Sequence, residues 1–238
     1  WLAFSGNPFC QGIKSLSQVP VVSMSDLQCH EVLGQGASGV IYRADWRLDS
    51  ATTKPVAFKL FKGEVTSDGD PQDELQICLA SGQHPNLVEP IAQVQGDEGS
   101  GLVMTLIPPE YKNLGGPPSL VSCTRDTFPQ GQTMSVEWIK KIVTQMNGVL
   151  THLRSLKIMH GDIYAHNVLI DGDHILFGDF GAASSYAQLE IQTQRALEKI
   201  EDRAFAYFIE DLLSLCSPED KNSEVRVELE DLMRERRT

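Results

Sequence analysis

Two short apolar runs, Val168-Leu169-Ile170 and Ile175-Leu176-Phe177, are joined by Asp171-Gly172-Asp173 and constrain this chain more than any other feature. β-branched and aromatic residues on either side of a glycine-containing turn read as a β-hairpin. A hairpin brings together whatever lies just outside its two ends, here Asn167 and Asp179. An amide oxygen and a carboxylate then converge, and these are the hard oxygen ligands that Mg²⁺ selects. Asp162 precedes Asn167 by five residues in His160-Gly-Asp162-Ile-Tyr-Ala-His-Asn167. Across one loop it is close enough to accept the proton of a hydroxyl beside a metal-bound phosphate. A single loop aspartate is ordinarily a surface residue; an ordered set of this kind is not.

The N-terminal half is strand-like from about Leu27 to Leu106. Within it, Gly34-Gln-Gly36-Ala-Ser-Gly39-Val40 is a glycine-rich GxGxxG run closed by a valine. Glycines let backbone N–H groups approach a triphosphate closely. A dinucleotide fingerprint would open a helix here, whereas Val40-Ile-Tyr-Arg-Ala continues as a strand, which disfavours that reading. An ordinary glycine-rich hairpin stays open as an alternative. Val56-Ala-Phe-Lys59 places a lysine mid-strand among apolar residues, where it would reach phosphates if a carboxylate positioned it. Glu74 is the candidate carboxylate, on a helix capped by Asp70-Pro71 with Leu75, Cys78 and Leu79 as its apolar stripe. The competing reading makes Lys59 a snorkelling edge residue and Glu74 a surface charge.

Prolines and glycines mark residues 108–134 as an irregular connector. Helices follow. Ser135 caps a stripe of Trp138, Ile142, Met146, Leu150 and Leu153. A second helix over 197–216 buries Ile200, Phe205, Phe208, Leu212 and Leu215, and a third over 225–233 uses Val225, Val227, Leu229 and Leu232. A β-rich lobe and a helical lobe imply a cleft between them.

At 238 residues with 41% hydrophobic and 22% charged, the chain has the size and composition of one large soluble domain, without a membrane segment. A net charge of −12 argues against a nucleic-acid surface, so an anionic ligand needs local positive charge such as Lys59. The five cysteines, 10, 29, 78, 123 and 216, have no metal spacing and read as small buried hydrophobes in a reducing compartment, the cytoplasm. Residues 1–9 carry the xLxLxxN spacing of a leucine-rich repeat, or form one amphipathic strand.

The ordered set resembles the protein kinase family, over roughly Leu27 to Cys216. The resemblance rests on Gly34, Gly36 and Gly39, the VAxK lysine Lys59, Glu74, His84-Pro-Asn86, the HxDxxxxN loop and Asp179-Phe180-Gly181. With the repeat-like start, the chain looks like the kinase domain of a leucine-rich-repeat protein kinase. The implied fold is α+β and two-lobed: residues 1–26 a repeat remnant or linker, 27–107 the N-lobe and hinge, and 108–238 a compact helical C-lobe. The implied ligands are ATP and Mg²⁺, and the implied partner a protein substrate.

By this resemblance, Lys59 holds the α- and β-phosphates and pairs with Glu74, Asn167 and Asp179 bind Mg²⁺, and Asp162 takes the hydroxyl proton. Val40 and Ala57 cover the adenine and Leu169 lies beneath it. Met104 is the gatekeeper, and Thr105, Leu106 and Ile107 offer backbone groups to the base. His160, Phe180 and Cys78 pack behind the site.

Several positions depart from the family. Gly161 replaces the arginine that reads an activation-loop phosphate, although Ser184, Ser185, Tyr186 and Thr193 are available hydroxyls. Tyr164 stands where serine/threonine kinases usually place a lysine and tyrosine kinases an alanine, so the catalytic loop leaves the acceptor hydroxyl, serine/threonine or tyrosine, open. No APE triplet lies between Phe180 and Asp202, the aspartate expected to buttress the catalytic loop. The HGDxxxxN loop is shared with aminoglycoside and choline-type phosphotransferases. A nucleotide-binding pseudokinase scaffold is the non-enzymatic alternative.

Overall fold

The structure, a computed structural model, describes residues 19–36, 38–62, 70–96, 99–123 and 125–238. The repeat-like residues 1–9, Cys10 and Ala37 of the glycine-rich loop lie outside them.

The first lobe is a six-stranded sheet built from β1 (Val21–Val22), β2 (Leu27–Gln35), β3 (Gly39–Arg47), β4 (Thr53–Phe61), β5 (Pro90–Gly96) and β6 (Gly99–Thr105). Its order is β1-β5-β6-β4-β3-β2, antiparallel except for the parallel β1–β5 pair. Strand alternation divides β4 between two environments. Val56 and Phe58 join Ala44, Val94 and Val103 in one apolar cluster. Phe61 joins the main core together with Leu102, the cross-strand partner of Lys59.

The same register corrects the expectation for Val40. Ile41 pairs with Lys59 and Arg43 with Ala57, whereas Val40 pairs with Leu60. With a period of two, Ile41 shares the face of Ala57 and Lys59, and Val40 belongs to the opposite face.

Helix α1 (Pro71–Ala80) has its N-terminus capped by the Asp70 carboxylate, which accepts the Gln72 N–H at 2.9 Å, and Pro71 occupies the first turn. It buries Leu75, Ile77, Cys78 and Leu79. After β6 the chain crosses to the second lobe through Thr105–Pro108. There β7 (Lys112–Asn113), α2 (Val136–Ser155), β8 (Ile158–Met159), β9 (Val168–Asp171), β10 (His174–Phe177), β11 (Ser184–Ser185), α3 (Ile191–Ser214) and α4 (Glu224–Arg237) follow.

Ser135 caps α2, whose stripe Ile139, Ile142, Val143, Met146, Val149, Leu150 and Leu153 is buried. Trp138 lies at its rim and donates its indole N–H to the Gly172 carbonyl at 2.7 Å. Helix α3 starts six residues before the sequence suggests. Ile200 faces solvent instead of the core, and Leu215 is its half-buried cap. In α4 only Leu229 is fully buried, and Val227 is exposed.

The lobes are fastened by Asn86. Its side-chain amide donates to the Ile175 carbonyl (2.9 Å) and to Gln145 Oε1 (2.7 Å), and its carbonyl accepts the Phe177 N–H at 2.8 Å. Next to it, the His84 and His152 rings lie 5.2 Å apart, and His152 Nε2 meets the Ser81 carbonyl at 2.7 Å. The four described cysteines are free. Cys78 and Cys216 are buried as expected, while Cys29 and Cys123 are exposed, the former on the edge strand β2 and the latter in the connector. Among the described residues no helix is long and apolar enough to cross a membrane.

Candidate active site

Lys59 projects from β4 onto the Glu74 carboxylate of α1, and the two residues are only 9% and 4% exposed. Burial works against the lysine's charge, yet Glu74 and Asp179 outweigh it and leave its pKa raised. Neither residue is the snorkelling or surface group that the alternative reading required. Lys59 Nζ also lies 5.2 Å from the centre of the Phe61 ring.

The three glycines serve different ends. A Cβ on Gly39 would stand 2.4 Å from the Leu60 carbonyl oxygen, so this glycine lets β3 approach β4. Among the described residues nothing lies within 4 Å of such a Cβ on Gly34 or Gly36. That leaves an open cradle, the room a phosphate chain needs.

Across the cleft, Asn167 donates its side-chain N–H to Asp162 Oδ2 (2.8 Å) and to the Asp162 carbonyl (3.1 Å). Its carbonyl accepts the Gly178 N–H at 3.4 Å, so the residue before Asp179 is tied to the residue that closes the loop. The hairpin forms as expected, with Asp171 opposite His174 and Gly172 at φ 57°, the left-handed region that glycine adopts without cost. Burial raises the Asp162 pKa, against the Asn167 hydrogen bond. Asp179 has φ 59° and accepts the Gly181 N–H at 3.4 Å. Ala57 is buried opposite Met104, and Leu169 is half-buried on β9. Leu106 and Ile107 are half-buried, and the Thr105 N–H is bound to the Glu89 carbonyl at 3.1 Å. Cys78 and Phe180 lie in the main core.

His160 is fully buried, stacked on Phe177 (centroids 4.0 Å apart) and tilted at 49° against Phe180 (5.1 Å). Burial lowers its pKa to about 4. A neutral ring whose Nε2 meets the Gly178 carbonyl at 3.0 Å donates there, leaving Nδ1 as a buried acceptor without a partner among the described residues.

The buttress is Glu201, not Asp202. Glu201 Oε1 accepts the His160 N–H at 2.6 Å and the Gly161 N–H at 3.4 Å, while Asp202, one step around α3, pairs with Arg154 and Arg236. A 100° turn per residue separates inward from lateral positions, and the longer glutamate reaches the loop. Burial pushes the Glu201 pKa from 4.5 up to about 7, the two N–H donors opposing it. Between those values the folded protein keeps a proton that the unfolded chain has lost, so this group's contribution to stability falls as pH rises. Glu201→Gln retains an acceptor and cannot ionise. Its melting temperature relative to the unmutated protein should therefore climb between pH 5 and pH 8, an effect of roughly 2–3 kcal/mol, since a tenfold change in proton affinity is worth about 1.4 kcal/mol. A difference that stays constant across that range would contradict the assignment.

A second carboxylate on the catalytic loop carried no motif. Asp126 of the connector is buried, with Oδ2 accepting the Ala165 N–H and Oδ1 2.7 Å from His166 Nδ1. Burial disfavours the charged imidazole, but Asp126, Asp162 and Asp179 outweigh it and leave the His166 pKa raised. The one sequence sign was an acidic residue between Arg125 and Thr127 in a stretch otherwise poor in carboxylates. After Asp179, β11 pairs with β8, and Ser184 and Tyr186 are buried. The Tyr186 hydroxyl donates a hydrogen bond to Glu198 Oε1 at 3.0 Å.

The profile of the family described as "Protein tyrosine and serine/threonine kinase" matches residues 27–206. The chain belongs to the protein kinase family. Among this kinase's relatives are the serine/threonine-protein kinase PITSLRE of Drosophila melanogaster and cyclin-dependent kinase 11B of Mus musculus. Each is 30% identical over 169 residues, which cover 69% of this chain and 16% and 20% of those proteins. Cell division control protein 2 homolog 3 of Trypanosoma brucei brucei is 27% identical over 159 residues, covering 66% of this chain and 46% of its own. The kinase therefore spans less than half the length of each of these relatives. Enzymes of its family are phosphotransferases that generally use ATP and Mg²⁺.

Proposed function

We propose that this kinase transfers the γ-phosphoryl group of ATP to a serine or threonine hydroxyl of a protein. The observation that carries the proposal is the Asp162–Asn167 hydrogen bond, joined through Gly178 to Asp179 and facing the buried Lys59–Glu74 pair. The Asn167 side-chain N–H is spent on Asp162, so its Oδ1 is free and, with the Asp179 carboxylate, makes the hard-oxygen pair that suits Mg²⁺. When bound, Mg²⁺ neutralises phosphate charge and orients the triphosphate. Lys59, held by Glu74, supplies the local cation that a chain of net charge −12 needs for an anion. Asp162 orients the acceptor hydroxyl and accepts its proton. Ala57 and Leu169 enclose the adenine, with Ile41 taking the role expected of Val40. Met104 sits behind the base, and Thr105 to Ile107 supply backbone groups to its edge.

Residues 27–107 and 108–238 form the two lobes of this reading. The xLxLxxN spacing of residues 1–9 supports a leucine-rich repeat before them, and free cysteines support a reducing, cytoplasmic setting. The test is incubation with ATP and Mg²⁺ and either a degenerate serine/threonine peptide mixture or small amino-alcohols, followed by mass spectrometry. Phosphate on the peptides supports the proposal. Phosphate on the alcohols alone would make this a small-molecule phosphotransferase, and nucleotide binding without transfer would make it a scaffold.

Transfer should not depend on activation-loop phosphorylation. Gly161 provides no cation for such a phosphate, and Ser184 and Tyr186 are buried in the folded chain. Activity should survive phosphatase treatment of the purified protein within about twofold, since no phosphate-dependent contact would be lost. Its abolition would contradict this.

A further inference from the structure

The catalytic loop is anchored to the rest of the molecule at two ends. Glu201 fixes its entrance through the His160 and Gly161 N–H groups. Its exit is fixed by the connector, which takes both backbone groups of Ala165: the N–H goes to Asp126 Oδ2, and the carbonyl accepts the Gly115 N–H at 3.2 Å. One residue on, the His166 carbonyl accepts from Asn113 Nδ2 at 2.6 Å, and His166 Nδ1 meets Asp126 Oδ1 at 2.7 Å. Residues 165–167 form a single 3-10 turn that ends on Asn167, the partner of Asp162.

Asp126 is itself held rigidly. Thr127 and Gly116 exchange two backbone hydrogen bonds, at 2.7 and 2.9 Å. Arg125 reaches Asp211 and Glu210 of α3 and lies 5.1 Å from the centre of the Tyr207 ring. A buried carboxylate is costly unless its oxygens are satisfied, and both oxygens of this one point at the catalytic loop.

We propose that Asp126 is a positioning residue for phosphoryl transfer: through Ala165 and His166 it sets the place of Asn167, and through Asn167 that of Asp162. The proposal rests on the kinase reading above. Misplacing a reacting group by about 1 Å costs on the order of 10²-fold in rate. Asp126→Asn keeps the shape of the side chain and weakens the anchor.

In the full chain, with ATP, Mg²⁺ and the degenerate peptide mixture, Asp126→Asn should lower kcat roughly 10–100-fold. KM for ATP should stay within about twofold, and the fraction of protein that binds nucleotide should be unchanged. If kcat is unchanged, or if a smaller nucleotide-binding fraction accounts for the whole loss, the positioning role is overturned and Asp126 is a packing residue. Should Asp126→Asn fail to fold, His166→Gln cuts the same contact from its more exposed side. The same split is then expected, and an unaltered kcat overturns the role. Asp162→Asn is measured alongside. If the unmutated protein is no more active than that variant, the phosphotransfer reading fails, and the positioning role with it.

Discussion

Asp162→Asn will bind nucleotide like the unmutated protein and transfer phosphate ~10²–10⁴-fold more slowly, the usual worth of a positioned general base. One oxygen of Asp162 is engaged by the Asn167 amide at 2.8 Å, and the other is left for an acceptor hydroxyl. An asparagine there can still receive a hydrogen bond but cannot take the proton. Partial burial raises the carboxylate's pKa, which makes it a stronger base than an exposed aspartate. Lys59, Glu74 and the open space at Gly34 and Gly36 are untouched by the substitution, so affinity for ATP should hold. Turnover measured by phosphate incorporation, beside ATP binding measured by fluorescence, separates the two effects. Transfer within threefold of the unmutated rate would remove Asp162 from the chemistry.

Lys59→Met will act on stability as strongly as on activity. It strands Glu74, a residue 4% exposed whose Oε2 has no hydrogen-bond partner among the described residues even with the lysine present. Removing one member of a buried ion pair typically costs about 3–5 kcal/mol, because the remaining charge stays desolvated. For a domain of this size that corresponds to a fall in melting temperature of roughly 10 °C. Loss of transfer in this variant is therefore ambiguous by itself. The double variant Lys59→Met/Glu74→Gln removes the stranded charge and should recover most of the melting temperature while staying inactive. A single variant that melts with the unmutated protein would show that Lys59 does not hold Glu74.

The parts of the fold that follow from periodicity were legible in the residues. The capped helix at Asp70-Pro71, the Ser135 cap with its stripe, and the hairpin that joins Asn167 to Asp179 all repeat at 3.6 or 2 residues or carry turn chemistry. What escaped depended on phase and on distant contacts. Val40 and Ile41 are both β-branched and adjacent, and only the pairing of β3 with β4 tells which shares the Lys59 face. Glu201 and Asp202 are both acidic, and their order along α3 does not say which of them faces His160. Ile200 is apolar yet exposed for the same reason. Asp126 sits among prolines, glycines and hydroxyl residues with no period at all, so its contacts with Ala165 and His166 exist only in three dimensions.

The Asn86 fastening has a mechanical consequence. It binds the loop between α1 and β5 to β10 and α2, so this end of the sheet travels with the helices. The glycine-rich loop belongs to β2 and β3, at the opposite edge of the same sheet. A rotation of the sheet about that end would displace Gly34 and Gly36 most, because β2 lies four strands away from β5 at about 4.8 Å per strand. On the proposed function, such a rotation would open the roof over the nucleotide while Asn167 and Asp179 kept their places at the open end of the β9–β10 hairpin.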